Sequence, residues 1–303
     1  MDTPAELLPG PVAPQIAIAP HETLLRQALR RFVRHRLAIF GLGLLVVVAL
    51  FAALAPFLLQ NPYKTDLRAI DKPPSAQHPL GTDRSGRDVL ARIATGARTS
   101  LIVGFGAVAV YVAIGTLIGL VAGFFGRWID QLLMRLVDTV LSIPTLLLII
   151  VFVSIIGPSL VSVITVIGLL GWPATARIVR GQVLALREAE FVTAARVVRA
   201  ADGRILRDHL VPNIVGPLTV IATFGVATAI LLEAGLSFLG LGVQAPEPSL
   251  GNMILEARDS NVLMTLPWLW LPPGILISLT VLAVNFVGDG LRDALDPRST
   301  RRL

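Results

Sequence analysis

From residue 37 onward, long runs without a charged residue alternate with short charged stretches. The first run is Leu37 to Leu59, the second Leu101 to Gly126, and the third Thr139 to Ile156 with a start near Gln131. Gly157-Pro158-Ser159 interrupts the pattern, because proline removes a backbone donor and breaks a helix interior. The fourth run is Val161 to Ala176. The fifth covers Ile214 to Leu232 and continues toward Leu241, and the sixth is Pro267 to Val287. A helix needs about 20 apolar residues to cross a hydrocarbon core. The pattern therefore predicts an all-α integral membrane protein of about six transmembrane helices. No internal repeat is evident.

Before the first run, Leu25, Leu29 and Phe32 alternate with Arg26, Arg30, Arg31, Arg34 and Arg36. Residues 24–36 therefore read as a basic amphipathic helix in the headgroup region. The first 20 residues hold five prolines and no basic residue, so they lack the n-region of a secretory signal. The expected organisation is a flexible tail at 1–23, the interfacial helix at 24–36, a first span with an extracytoplasmic loop at 37–98, a transmembrane core at 99–290, and a cytoplasmic tail at 291–303. The first run then serves as an uncleaved anchor.

Composition supports a lipid solvent. Of 303 residues, 54% are hydrophobic and only 15% charged, against about a quarter charged in soluble domains. With no cysteine there is neither a disulfide framework nor a thiolate metal site. The net charge of +6 reads as basic loops facing the cytoplasm rather than as a nucleic-acid surface. With both termini inside, 18 of the 26 basic residues fall on the inner side and 8 outside, which favours that orientation. Trp128, Trp172, Trp268 and Trp270 fall at expected span ends, at headgroup depth.

The most informative polar stretch lies between the fourth and fifth runs, within a loop at 173–212. Phe191, Ala194, Ala195 and Val198 recur at helical spacing, Ala201-Asp202-Gly203 is a turn signal, and a second short helix reaches Pro212. An ordered loop of this length implies that something docks on it. Within the spans, Glu233 and Asn285 are candidates to line a pathway, since polar groups in lipid are costly and often functional. Glu233 equally suits a bond to a neighbouring helix. Arg135 and Asp138 are spaced to pair, as are Arg292 and Asp296. Pro144 should kink the third span, and Gly115, Gly119 and Gly123 mark a face for close helix contact.

No G-x-x-x-x-G-K-[ST] loop is present, and the only lysines, Lys64 and Lys72, follow no glycine. The chain is not expected to be an enzyme, and energy must come from a partner. No H-E-x-x-H occurs, and His21, His35, His78 and His209 are scattered, so neither catalytic nor metal-binding residues are assigned. His78 reads as a loop cap.

Residues 187–213 resemble the EAA loop of importer-type ABC permeases, in which E-A-A is followed by three residues, a glycine, nine residues, an isoleucine, one residue and L-P. Thr193-Ala194-Ala195 takes the E-A-A place and Pro212 the final proline. Thr193 replaces the glutamate, Arg199 the glycine, His209 the isoleucine and Val211 the leucine, with Gly203 expected to serve the turn. His78-Pro79-Leu80-Gly81-Thr82-Asp83 with Gly86-Arg87-Asp88 resembles the H-P-L-G-T-D-x-x-G-R-D signature of the peptide/nickel branch. Residues 237–244, Pro248-Ser249-Leu250-Gly251-Asn252-Met253 and residues 288–298 resemble that branch too. The likeness spans about residues 25–298 and is to the C-type permeases of dipeptide and oligopeptide importers.

The resemblance implies half of a translocation pathway, in the bacterial inner membrane. Expected partners are a homologous second permease, two cytoplasmic ATPases, an extracytoplasmic substrate-binding protein and membrane lipid. ATP and Mg²⁺ would be bound by the ATPases. It implies coupling through Arg187, Glu190, Thr193, Ala194, Ala195, Arg199, Gly203 and Pro212, with Arg187 and Glu190 supplying charged contacts. Nickel or another small solute is an alternative cargo. A stand-alone secondary transporter would need charged relays within its spans, and an intramembrane protease a paired catalytic constellation; the sequence offers neither.

Overall fold

The computed structural model describes residues 24–295. The expectations placed on 1–23, and on Asp296 and the residues after it, lie outside the described residues. Within them the chain is helical, with one isolated antiparallel bridge between Thr82 and Asp88.

The amphipathic α1 (Leu24–Arg34) leads into α2 (Arg36–Leu58), whose start is capped by His35, with Nδ1 accepting from the Ala38 amide at 3.1 Å. Next comes α3 (Val89–Phe125), capped by Asp88, which accepts from the Ala91 amide at 2.8 Å. The third pass is broken into α4 (Arg127–Leu141) and α5 (Thr145–Ile156), bent by 80° at the residues around Pro144. The kink expected there is thus a near-right-angled break. Ser159 caps α6 (Leu160–Arg187), and short α7 (Glu190–Val197) and α8 (Asp202–Arg204) follow. A π-helical stretch, Ile205–Leu210, runs into α9 (Val211–Phe238). Two short helices, α10 (Leu250–Leu255) and α11 (Ser260–Thr265), precede α12 (Pro267–Leu295). Five helices are long and apolar enough to cross a membrane, and there are six passes when the bent pair is counted as one.

Four span boundaries differ markedly from those expected. The second helix begins at Val89 rather than Leu101, the fourth continues to Arg187 rather than Ala176, the fifth begins before Ile214, and the sixth continues to Leu295 rather than Val287. The apolar run ends where hydrocarbon ends, but the helix continues wherever its polar side chains find partners. On α6, Arg177 pairs with Asp138 at 2.6 Å, and Arg180 grips Asp130 with both its Nε and Nη2. The carboxylates of α4 therefore bond to α6; Asp138 is taken by Arg177 rather than by Arg135.

The glycines of α3 determine its closest packing. A Cβ on Gly115 would lie 2.6 Å from Thr175 Cβ, and one on Gly119 2.6 Å from the Ala176 carbonyl. On Gly123 it would meet Val183 Cβ at 2.8 Å. The three therefore form one seam that lets α6 approach at backbone distance. The main core gathers Val103, Ala107, Ile149, Val163, Ile167 and Ile230 from α3, α5, α6 and α9. Trp172 lies within α6 and is 8% exposed, in a cluster with Val137 and Ala176. Trp128 is exposed at the start of α4, and Trp268 and Trp270 sit in the first turn of α12.

Successive passes alternate in direction, so residues 59–88 and 239–266 share one end of the bundle, and α1, α7 and the end of α12 share the other. At the first end the H-P-L-G-T-D-x-x-G-R-D stretch is a tied knot. Asp83 accepts from the Ser85 and Arg87 amides (2.8 and 2.9 Å) and from Arg87 Nε (2.7 Å). His78 Nδ1 meets Asp88 at 2.9 Å, which makes it a partner of the α3 cap, and the Thr82 hydroxyl donates to the Ala69 carbonyl. At Gly86 (φ +72°) a Cβ would sit 1.9 Å from the Asp66 carbonyl oxygen, so only glycine fits.

Candidate functional site

The segment joining α6 to α9 carries the predicted coupling residues. α6 ends at Arg187, whose Nη1 reaches the carbonyls of Gly123 and Phe124 (3.4 and 3.5 Å) at the C-terminus of α3. A cation there complements the helix dipole. Its Nε also meets Glu188 at 3.2 Å. Arg187 is thus engaged within the chain, tying α6 to α3, while Glu190 stands exposed at the start of α7.

The apolar positions of α7 divide between two faces. Val192 (0% exposed) and Ala195 point inward onto Ile205, Leu210, Ile214, Val179, Val183 and Phe124. Phe191, Ala194, Val197 and Val198 point outward, with Val197 78% and Val198 77% exposed. The single face expected from Phe191, Ala194, Ala195 and Val198 is therefore split, with only Ala195 inside. Thr193 is exposed, and its hydroxyl bonds back to the Ala189 carbonyl at 3.3 Å. Arg196 lies over the Phe124 ring at 5.8 Å, and the Phe191 and His209 rings are 6.2 Å apart.

α7 stops in a Schellman motif. The Ala200 amide donates to the Ala195 carbonyl (3.0 Å) and the Arg199 amide to that of Arg196 (2.9 Å). The residue between helix and return must take a left-handed conformation, usually supplied by glycine. Here it is Arg199, at φ +55°. Gly203, expected to serve the turn, lies in the helical α8 without a positive φ, and a Cβ on it would meet nothing. The turn is made at the position where the family pattern has its glycine, by a side chain that bears the strain.

Pro212 occupies the second position of α9, immediately after the π-helical stretch. It has no N–H for an i−4 bond, and its ring crowds that carbonyl. The chain widens there, with the Val211 amide reaching back to the Leu206 carbonyl, and Asn213 Nδ2 donates to the His209 carbonyl at 2.6 Å. π turns of this kind frequently mark functional positions.

Above this segment a cavity of about 780 Å³ opens between α6, α9 and α12, lined by Gln182, Asn213, Pro217 and Arg292 among others. A second, of about 410 Å³, lies deeper and is lined by Tyr111, Thr145, Thr175, Gly225 and Thr228. Ile178 and Ile221 line both, so the two adjoin along a cleft between α6 and α9. The deeper part holds hydroxyls and hydrocarbon but no charge.

Neither Glu233 nor Asn285 lines this cleft. Glu233 is 0% exposed, accepting from Ser100 (3.0 Å) and Ser237 (2.7 Å), with Ser249 against Ser237 at 3.3 Å. It ties α9 to α3 and to the start of α10. Asn285 is half-buried on α12. Sequence reasoning missed the cleft hydroxyls of Thr145, Thr175 and Thr228; Gly171 and Gly225, near the last two in sequence, leave room that the Tyr111 ring fills.

A helical bundle of up to six passes, with an internal cleft and a short helix mounted at the ends of its core helices, is the architecture of a membrane permease. Residues 115–301 match the family described as binding-protein-dependent transport system inner membrane component, and residues 23–74 match the N-terminal transmembrane domain of oligopeptide transport permease C. The chain belongs to the binding-protein-dependent transport permease family. It is 49% identical over 276 residues to a protein of Brucella suis biovar 1 provisionally named peptide permease protein, covering 90% of this chain and 91% of the relative. It is 43% identical over 297 residues to the dipeptide transport system permease protein DppC of Alkalihalophilus pseudofirmus, covering 98% and 96%.

Proposed function

We propose that this chain forms half of the translocation pathway of an ATP-driven importer, with di- or oligopeptides as cargo. The carrying observation is α7, rooted inward by Val192 and Ala195 while offering Phe191, Val197 and Val198 outward. An apolar patch on a polar membrane end is costly unless a partner covers it, and a cytoplasmic ATPase fits that place. ATP and Mg²⁺ belong to that partner. A homologous second permease completes the pathway, and an extracytoplasmic binding protein delivers cargo to the end carrying residues 59–88. The relatives' names supply the peptide cargo. The uncharged deeper part of the cleft suits it, since a conduit must hold its cargo weakly enough to let it leave. Both termini face the cytoplasm on this reading, and α1, with Arg26 and Arg34 exposed, lies among lipid headgroups.

The test is purification of the tagged chain from gently solubilised native membranes, with co-purifying subunits identified by mass spectrometry. A second permease and Walker-type ATPases are expected, and Val197→Asp with Val198→Asp should strip the ATPases. Isolation of the chain alone, reproducibly and well folded, overturns the reading.

A further inference from the structure

The deep part of the cleft is shaped by a residue that belongs to neither of the helices facing across it. Tyr111 stands on α3, yet it lines the deeper cavity together with residues of α5, α6 and α9. It is half-buried, and among the described residues it is the one aromatic side chain on the wall of either cavity.

Two glycines make its seat. On α6, a Cβ at Gly171 would lie 2.9 Å from Tyr111 Cδ1 and 3.2 Å from its Cγ, so the base of the ring rests on that helix. On α9, a Cβ at Gly225 would overlap the Tyr111 hydroxyl oxygen, so the tip of the side chain abuts that helix. The side chain therefore spans the cleft from α6 to α9. Its stem is held on both sides along α3. Val110 packs on Gly168 so closely that a Cβ there would come within 2.7 Å of Val110 Cβ, and a Cβ at Gly115 would meet the Trp172 carbonyl at 2.8 Å. Close packing of α3 on α6 thus fixes the root of the ring, and its length sets how near α9 can come. The volume that Gly171 and Gly225 give up is filled by Tyr111, so the bore of the cleft at this level is set by that one side chain.

The ring also divides the cleft by depth. The larger cavity opens near the α7 end, with Leu186, Asn213 and Arg292 on its wall, and the deeper one is lined by Thr228 and Leu232 beyond Gly225 on α9. Thr228 follows Gly225 by three residues, so it lies about 4.5 Å further from the α7 end. A molecule moving up the cleft from that end meets Tyr111 before Thr228. We propose that Tyr111 is a specificity-determining residue: a crossbar between α6 and α9 that admits peptides with small side chains to the deep part of the cleft and excludes bulky ones. The proposal rests on the reading of the cleft as the path of a peptide importer.

The chain has no cysteine, so a thiol placed at Thr228 is the only one on it. In the intact complex, Thr228→Cys is labelled with methyl methanethiosulfonate and with its benzyl counterpart, and the label on this chain is read by mass spectrometry. Opening or filling a closely fitted space by even one methylene shifts discrimination about tenfold or more, so Tyr111→Ala should raise the benzyl-to-methyl rate ratio by about that factor. Tyr111→Trp, at least as bulky, should not raise it. Where Tyr111→Ala does not assemble, Tyr111→Leu, too short to reach Gly225, should raise the ratio in the same direction. Uptake by the complex then compares dialanine with alanyl-tryptophan. The same binding protein serves every variant, so its own preference cancels, and Tyr111→Ala should shift the preference toward alanyl-tryptophan. An unchanged labelling ratio overturns the proposal, and so does an unchanged preference. Labelling needs no cargo: if the unsubstituted complex moves neither dipeptide, the peptide reading fails while the labelling ratio still decides the crossbar.

Discussion

Replacing Arg199 by glycine should strengthen the end of α7, although it deletes a whole charged side chain. Arg199 is the residue after the α7 C-cap, at φ +55°, and it is exposed. An L-residue in the left-handed region pays roughly 1–2 kcal/mol that glycine does not. Glycine gives back part of this through the greater freedom of the unfolded segment, about 0.4–1 kcal/mol. No ion pair or side-chain hydrogen bond of Arg199 is among those of the described residues, so little else is lost. The net gain is then about 0.5–1 kcal/mol, a two- to fivefold smaller open population of the α7 terminus. Hydrogen exchange of the Arg199 and Ala200 amides, which close the Schellman motif, measures that population directly. Arg199→Val should move it the other way, since a β-branched residue is a genuine outlier at positive φ. Exchange that is unchanged or faster in the glycine variant would refute the reasoning.

Gly119→Ala should lower the melting temperature of the solubilised protein, since a Cβ there meets a backbone carbonyl at 2.6 Å and overpacking costs about 1–3 kcal/mol. Gly43→Ala, which meets nothing, should leave it level or raise it. Asp83→Asn leaves Arg87 and the buried Arg92 without their carboxylate, so it should cost about 3–5 kcal/mol and expose Arg84 and Arg87 to trypsin. Burial holds the Glu256 carboxyl above its usual 4.5, so the folded protein binds that proton more tightly than the unfolded chain does. Stability should therefore rise as pH falls through the Glu256 folded value toward 4.5, and Glu256→Gln should abolish the rise. Asp259, held low by Arg84, works oppositely, and its contribution is lost only as pH falls below 3.8. Ile178→Trp, at the junction of the two cavities, should cut uptake while ATP hydrolysis continues, since a steric barrier of ~1.4 kcal/mol already costs tenfold; unchanged uptake would show that the cleft is not the path.

The spans are legible in the sequence because lipid leaves no alternative: a long uncharged run must be helical there. Their ends are not, because Arg177 and Arg180 look like loop residues until Asp138 and Asp130 of α4 are seen to pair with them. Seams of close contact are legible from Gly115, Gly119 and Gly123, since spacing by four places all three on one helix face. The α7 helix itself can be read from its period. Its polarity cannot, because α7 is apolar on both faces and periodicity does not say which apolar side is covered. Gly203 misleads for a related reason. Composition points to the nearest glycine, whereas the bonds from Ala200 to Ala195 and Arg199 to Arg196 determine which residue must be left-handed.

How a docked partner could move the cleft follows from which helices are fastened to which. The glycine seam brings α3 and α6 to backbone distance, and Arg187 adds its hold on the α3 carbonyls, so these two helices are fastened along their length. Dense interiors do not deform continuously; they shift between discrete packings. α9 meets α6 across the cleft, where packing is interrupted by cavity rather than filled by side chains. α7 spans this division. Ala195 and Val192 press on Val179 and Val183 of α6 and also on Ile205, Leu210 and Ile214, at the root of α9. On the proposed docking, a push on Phe191, Val197 and Val198 would therefore reach α6 and the root of α9 together, where the two helices face each other across the cleft. The π turn before Pro212 lies at that root, where an irregular turn gives the backbone room to adjust without breaking a regular helix.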